Sequence, residues 1–262
     1  MKIAILGCGS IGGAVAVGLS RCGVFRTSDI TVTAGHASSL DRFAGLGFRA
    51  SLNNAEAARE ADIVMISVRS RVVKQVVEEI RDALDYSRQI IVSMAAEYPS
   101  EELLSLFRRP DGSVPQVVKV IPNTAIEARQ SMTFLAPVNA DKEHLEQVRA
   151  VFDKAGKTLL VEEKMLGAGT TLASCGIGYA MAYVKAASEG GKRLGFTAED
   201  AVRIVAQTVQ GAVSLLEMRD FRPEEEIDKV ATPGGLTEKG LKAMEESGFT
   251  DAVIRGLTAS AI

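Results

Sequence analysis

Short apolar runs alternate with stretches whose apolar residues recur at helical spacing over the first part of the chain. Ile3-Ala4-Ile5-Leu6 leads into Gly7-Cys8-Gly9-Ser10-Ile11-Gly12, and Ile11, Val15 and Leu19 then share one helical face. Asp29-Ile30-Thr31-Val32-Thr33 is a short β-branched strand, and Leu40, Phe43 and Leu46 mark the next helix. Ala61-Asp62-Ile63-Val64-Met65-Ile66-Ser67-Val68 carries the nearly continuous apolar run of a buried strand. Val73, Val76, Ile80 and Leu84 follow on one helical face. Gln89 to Ser93 and Val117 to Ile121 read as strands, the second stopped by Pro122, and Met132 to Leu135 forms one more before Pro137. Residues 141–154 have a helical pattern (Leu145, Val148, Val151), and Thr158-Leu159-Leu160-Val161 closes the alternation. Strands alternating with helices predict an α/β fold: a Rossmann-like, doubly wound parallel sheet.

Near Glu162 the pattern changes. Beyond it no convincing strand appears. Residues 165–195 are rich in Ala and Gly, with Met165, Leu166, Leu172, Tyr179, Tyr183 and Leu194 among them. Thr197-Ala198-Glu199-Asp200 has the form of a helix N-cap with an acidic third position, and Val202, Val205, Val209, Val213 and Leu216 continue at helical spacing. Two further helical stretches lie around Leu236–Glu246 and Asp251–Ala261. The expected organisation is a dinucleotide-binding domain over residues 1–161 and an all-α domain over 162–262. The small residues of the long helices permit close helix approach, either across a subunit interface or within one chain.

Composition narrows the function classes. Of the 262 residues 47% are hydrophobic, so a sizeable core is available, and a net charge of −3 gives no reason to expect nucleic acid or an anionic membrane as partner. Cys8, Cys22 and Cys175 are odd in number and unpatterned, which favours the reducing cytoplasm over a disulfide or zinc framework. The first residues are too short an apolar run for a signal peptide, and no run approaches a membrane span. His36 and His144, far apart in sequence, have no metal-ligand spacing.

The Gly7–Gly12 stretch carries the first chemistry. A GxGxxG between strand and helix lets Gly7 turn, Gly9 admit a pyrophosphate to the backbone and Gly12 pack the helix close to the strand. The N–H groups of Ser10, Ile11 and Gly12 at the helix start are then free for phosphate. Glycine-rich turns also occur for purely structural reasons. After Thr33 comes Ala34-Gly35-His36-Ala37-Ser38-Ser39, without the carboxylate that usually receives the ribose 2′-hydroxyl of NAD, and with Arg42 nearby. That composition favours NADP, with NAD the other candidate; Ser38 as a plain helix cap is the competing explanation.

Three more stretches stand out. Pro122-Asn123-Thr124 follows a strand's carboxyl end, where open α/β sheets gather ligands; Asn123 either contacts the cofactor or substrate, or caps a turn. Ser174-Cys175-Gly176-Ile177-Gly178-Tyr179 places glycines in an Ala-rich helical stretch, for close helix packing or for the approach of a ligand. Cys175 there reads as a small half-buried thiol rather than a nucleophile, since no histidine lies near it in sequence. Thr232-Pro233-Gly234-Gly235-Leu236-Thr237 opens a helix whose backbone N–H groups suit a carboxylate, with the Thr237 hydroxyl in the first turn; a structural Pro-Gly turn is the alternative.

These stretches, in this order and over essentially the whole chain, resemble pyrroline-5-carboxylate reductase. The resemblance also takes in Asn54-Ala55-Glu56, Val68-Arg69-Ser70 where the family has Val-Lys-Pro, Ala95-Ala96 and Arg193-Leu194-Gly195. Its most specific part is Thr232-Pro233-Gly234-Gly235, which lies far from the generic cofactor fold. It implies reduction of L-1-pyrroline-5-carboxylate to L-proline with NADPH or NADH, the last step of proline synthesis. It also implies a helical domain that dimerises, with the dimers often joined into a decamer. For the site it implies Gly7, Gly9, Ser10, Ile11, Gly12, His36, Ser38, Asn54, Val68, Arg69, Ala96 and Asn123 around the cofactor. Thr232, Gly234, Gly235, Cys175 and Gly176 would surround the substrate, with the Thr237 hydroxyl beside the ring nitrogen. Departures from the family pattern are Cys175, Ile177 and Gly178 for Ser, Pro and Ala, Leu236 for the first Thr of a pair, Lys119 and Ile121 for Arg and Met, Ala125 for Pro, and Glu97, Arg129 and Ser131 for glycines. They motivate two alternatives: a reductase of another cyclic imine or an oxidised cofactor, and a dinucleotide-binding sensor without turnover.

Overall fold

The computed structural model describes residues 1–261. Its strands are β1 (Ile3–Leu6), β2 (Ile30–Thr33), β3 (Arg49–Ser51), β4 (Ile63–Ile66), β5 (Ile90–Ser93), β6 (Gln116–Ile121), β7 (Ser131–Pro137) and β8 (Gly156–Leu160). Between them lie α1 (Ser10–Ser20), α2 (Asp41–Gly45), α3 (Asn54–Glu60), α4 (Ser70–Ile80), α5 (Ser100–Phe107) and α6 (Lys142–Phe152). The strands form one eight-stranded sheet in the order β3-β2-β1-β4-β5-β6-β7-β8. The chain winds outward from β1 to β3, then crosses back to β4 beside β1, which creates a switch point between β1 and β4.

Two-residue periodicity explains why both faces are covered. Ile3, Ile5, Ile63, Met65, Ile90 and Val92 join one apolar cluster with Val15 and Leu19 of α1 and with Val148 and Val151 of α6. Their alternates Ala4, Leu6, Val64, Ile66 and Ile91 join another with Val73, Val76 and Ile80 of α4 and with Leu103 and Phe107 of α5. A strand clad on both sides favours apolar residues at every position, and the run over residues 63–66 is apolar throughout.

The sheet is not wholly parallel, as the alternation alone predicts. β7 runs antiparallel to β6, while β7 and β8 are parallel. The cause is the connection. Only a short 3₁₀ turn, Thr124–Ala128, joins β6 to β7, whereas α6 joins β7 to β8. A parallel return needs a crossover of a dozen or more residues, and the shorter link permits only a hairpin-like reversal.

Compactness divides the chain after Ser174, with Met1–Ser174 in one unit and Cys175–Ala261 in the other. The sequence pattern puts the change at the end of β8. The stretch beyond β8 nevertheless packs on the sheet: Leu166, in the short helix α7 (Leu166–Gly169), joins Ile121, Phe134 and Ala136 in a small apolar cluster.

The second unit is helical: α8 (Gly176–Arg193), α9 (Ala198–Met218), α10 (Pro223–Val230), α11 (Leu236–Glu246) and α12 (Phe249–Ala259). Thr197 caps α9, its Oγ1 accepting from the Asp200 amide at 3.1 Å and donating to the Asp200 carboxylate at 2.8 Å. The Tyr179 hydroxyl of α8 donates to the Gly256 carbonyl of α12 at 3.0 Å and touches the Ser260 hydroxyl. Much of this unit's apolar surface stays exposed, including Met181, Tyr183, Val202, Val213 and Met218. No described helix is long and apolar enough to cross a membrane.

Phe107 illustrates how α5 is held. Its ring is fully buried and meets Tyr86 edge-on at 6.5 Å, while the Tyr86 hydroxyl donates to the Phe107 carbonyl at 2.7 Å. Phe107→Ala is expected to destabilise the fold by about 3–5 kcal/mol. Urea unfolding checks it; an unchanged midpoint would deny α5 a part in the core.

Candidate active site

The site is positioned by sheet register. Leu6 is level with Thr33 on one side and with Ile66 on the other, and Ile66 is level with Ser93. The residues that follow these strands therefore emerge side by side at the carboxyl edge. Gly7 turns there with φ of 101°, a conformation that an L side chain rarely adopts. Its amide donates to the Thr33 carbonyl at 3.2 Å, and the Cys8 amide to the same oxygen at 2.7 Å. A Cβ at Gly12 would collide with the Gly7 carbonyl oxygen. The first turn of α1 is thus pressed onto the end of β1. Gly9 caps α1 without any side-chain hydrogen bond, so the first amides of the helix have no internal partner. Burial pushes the Cys8 thiol up to about 12, which keeps it neutral beside those amides.

A cavity of about 520 Å³ opens beside this turn. Gly9, Ser10, Ile11, Val68, Arg69 and Ala96, all named from the sequence, line it. Ser67, Met94, Pro122, Thr170 and Ser174 line it too. Thr170 and Ser174 belong to a π-helical turn, Thr170–Cys175, which leads into α8. No pattern in the sequence distinguishes such a turn from an ordinary helix. A second cavity, of about 240 Å³, lies at the ends of β1 and β2 and is lined by Gly7, Thr33, Asn54, Val68 and Glu79.

Lys119, behind the cavity wall at Ala96, has a role that sequence reasoning missed. Only 2% exposed, it places Nζ 2.7 Å from Glu163 Oε1 and donates to the Ala96 carbonyl at 3.3 Å. Ser100 Oγ donates to the same Glu163 oxygen at 2.6 Å. Burial pushes the Glu163 carboxyl up, but the hydrogen bonds from Lys119 and Ser100 outweigh it and hold it below the usual carboxylate range. A charged residue inside the apolar run Val117–Ile121 was the available signal.

Other residues named from the sequence do not line these cavities. Asn123 is buried; its Oδ1 accepts from the Ala125 amide at 3.0 Å, and its Nδ2 donates to the Ala173 carbonyl at 3.3 Å. His36 and Ser38 are exposed around the 3₁₀ turn Ala37–Ser39 after β2. Cys175 and Gly176, half-buried, lie where α8 begins. In the second unit Gly235 caps α11, but the glycine amides are not free as the loop sequence suggests. The Gly235 amide donates to the Thr232 carbonyl at 2.8 Å, and the Gly234 amide to Glu238 Oε2 at 2.6 Å. A tight Thr-Pro-Gly-Gly turn closes on itself, and the acidic residue in the first helical turn reaches back over it. Leu236 there is 87% exposed. Among the described residues no group of His, Cys, Asp or Glu side chains could hold a metal ion.

Comparison with known proteins decides the family. A sequence model of the pyrroline-5-carboxylate reductase dimerisation domain matches residues 163–262, and one described as NADP oxidoreductase, coenzyme F420-dependent, matches residues 2–97. Pyrroline-5-carboxylate reductase 2 of Dictyostelium discoideum is 34% identical over 99% of this chain and 91% of its own. The chain belongs to the pyrroline-5-carboxylate reductase family. The corresponding Methanosarcina acetivorans enzyme is 30% identical over 97% of this chain and 94% of its own. Against D. discoideum pyrroline-5-carboxylate reductase 1, 34% identical, this chain spans 48% of the relative's length. Among solved structures, a Coxiella burnetii pyrroline-5-carboxylate reductase superposes with a TM-score of 0.85 at 26% identity, covering 99% of this chain and 95% of that one. The Plasmodium falciparum enzyme, crystallised with NADP bound, shares the fold at a TM-score of 0.85 and 21% identity, covering 99% and 95%. The chain is therefore an NAD(P)H-dependent oxidoreductase of this type, and its dimerisation domain makes it a homo-oligomer. The region matched by the dimerisation model includes the helices whose apolar residues stay exposed.

Lys119→Met leaves the Ala96 carbonyl and Glu163 without their cation. Because Glu163 keeps 43% of its side chain exposed, the expected loss is modest, about 1–2 kcal/mol. The pair's contribution is full above the ordinary glutamate range and is lost as pH falls through the depressed value of the folded state. Urea midpoints across the acid range should therefore fall less steeply in Lys119→Met than in the parent, and parallel curves would rule the pair out as a stabilising contact.

Proposed function

We propose that the chain reduces L-1-pyrroline-5-carboxylate to L-proline, with hydride from NADPH or NADH. The observation that carries this is the cavity at the carboxyl edge. There the uncapped start of α1 meets Val68, Arg69 and Ala96 in a chain of this family. The residues suit a nicotinamide dinucleotide, because the open space at Gly9 leaves room for a pyrophosphate to approach the backbone, while Gly12 lets the helix start press onto the end of β1. In this reading the amides of Gly9, Ser10, Ile11 and Gly12 hold the pyrophosphate and Asn54 holds the adenosine ribose. Val68, Arg69 and Ala96 border the nicotinamide, and buried Asn123 braces that edge. His36 and Ser38, exposed after β2, would receive a 2′-phosphate.

When bound, the reduced nicotinamide supplies the hydride. The chain's own part is orientation and exclusion of water, since a protonated imine is already a good electrophile. Thr237 hydrogen-bonds the imine nitrogen. The start of α11, with Thr232, Gly234 and Gly235, receives the carboxylate once Glu238 yields the Gly234 amide. Cys175 and Gly176 flank the ring. The functional division follows the sequence pattern: residues 1–161 for the cofactor, 162–262 for association and substrate. Dimers joined into a decamer are the assembly the family suggests. The reducing cytoplasm suits its three free cysteines.

The departures from the family pattern motivate one variant of this reading, a six-membered cyclic imine acid as substrate. Rates on five- and six-membered imine carboxylates separate the two. Thr237→Ala is expected to lower kcat for the imine about 10–100-fold, the worth of one hydrogen bond to a charged group. The dissociation constant for NADPH should stay within about twofold, because no cofactor contact is lost. Unchanged turnover would remove Thr237 from the mechanism.

A further inference from the structure

The adenosine end of the cofactor cavity holds a carboxylate, and it comes from α4 rather than from the end of β2. Thr33, the last residue of β2, donates its hydroxyl to Asn54 Oδ1 at 2.6 Å. Asn54 Nδ2 donates to Glu79 Oε2 at 2.6 Å, and Gln75 Nε2 donates to Glu79 Oε1 at 2.9 Å. Thr33, Asn54, Gln75 and Glu79 all line the 240 Å³ cavity that begins at Gly7. Glu79 is the one ionisable side chain among that cavity's lining residues. Arg42, the cation nearest to the loop in sequence, faces Glu127 at 3.7 Å instead.

We infer that Glu79 is a specificity-determining residue for the dinucleotide, favouring a free ribose 2′-hydroxyl over a 2′-phosphate. The inference rests on the reading of this cavity as the cofactor site. In open α/β dinucleotide folds the adenosine ribose lies at the end of the second strand, where an acidic residue accepts hydrogen bonds from its hydroxyls. Here that strand ends in a threonine, and the same office falls to a glutamate brought across by α4. Each Glu79 oxygen has one protein donor and keeps a lone pair for a ribose hydroxyl. A phosphate in the same place would face a carboxylate with no cation among the lining residues to offset it. The hydrogen bonds from Asn54 and Gln75 favour the orientation of the carboxylate towards the cavity. Glu79 thus narrows whatever preference for NADPH the His36–Ser38 loop provides.

The test uses the full chain and two variants. Glu79→Gln keeps the shape and removes the charge, and Gln75→Lys sets a cation against the charge without removing it. For each, kcat/KM is measured for NADPH and NADH with pyrroline-5-carboxylate, and the dissociation constants of NADP⁺ and NAD⁺ by calorimetry. Both variants are expected to shift the NADPH-to-NADH ratio towards NADPH, by about tenfold for Glu79→Gln, with the dissociation constants shifting in the same sense. A ratio within about twofold of the parent, or an equal loss with both dinucleotides, would overturn the inference and leave Glu79 a mere brace for Asn54. If neither dinucleotide is oxidised but the ratio of dissociation constants still shifts, the assignment of substrate fails while the inference about Glu79 stands.

Discussion

The site depends on one close approach, that of α1 to the end of β1. Gly12 packs against the Gly7 carbonyl with no room for a Cβ, and the Gly7 amide is fastened to Thr33 at the end of the neighbouring strand. A side chain at Gly12 would push the helix start away from the sheet edge, and one at Gly7 would strike the Ser67 carbonyl and Val68. The uncapped amides of α1 would then no longer face the space between Val68, Arg69 and Ala96. The parallel register of β1, β2 and β4 matters for the same reason, because it sets the loops after Leu6, Thr33 and Ile66 level with one another.

Around that approach the fold supplies two polar anchors. At one end, Thr33, Asn54 and Glu79 are joined by hydrogen bonds across three elements of the chain. At the other, Lys119 ties the Ala96 carbonyl to Glu163, beyond β8. Each anchor takes polar groups that would otherwise be loose or orphaned and gives them partners, which holds the cavity wall in one arrangement. The helical unit contributes a different property. It leaves Met181, Tyr183 and Val213 exposed within the region that the dimerisation model matches.

The alternation of strands and helices, the change of pattern near Glu162 and the glycine loop were all legible in the sequence, because each is a local consequence of periodicity or of glycine. The Thr197 cap of α9 was legible for the same reason. What was not legible depends on distance. β3 is a three-residue edge strand, mostly exposed, with no apolar pattern to announce it. The reversal at β7 follows from the length of the link after β6, not from the strand's own residues. The absence of a carboxylate after Thr33 is real in sequence, yet Glu79 reaches the same region from another helix. The free amides expected at Gly234 and Gly235 are occupied by Glu238 and Thr232, since a tight turn satisfies its own donors.

The central claim is delivery of hydride to the imine carbon of pyrroline-5-carboxylate. It is tested most directly by incubating the protein with that imine and reduced dinucleotide deuterated at the transferring C4 position, then examining the product by mass spectrometry and proton NMR. The expected product is L-proline carrying one deuterium at C5, formed in step with oxidation of the dinucleotide. Oxidation without deuterated proline, or no oxidation by a protein that binds the dinucleotide, would contradict it.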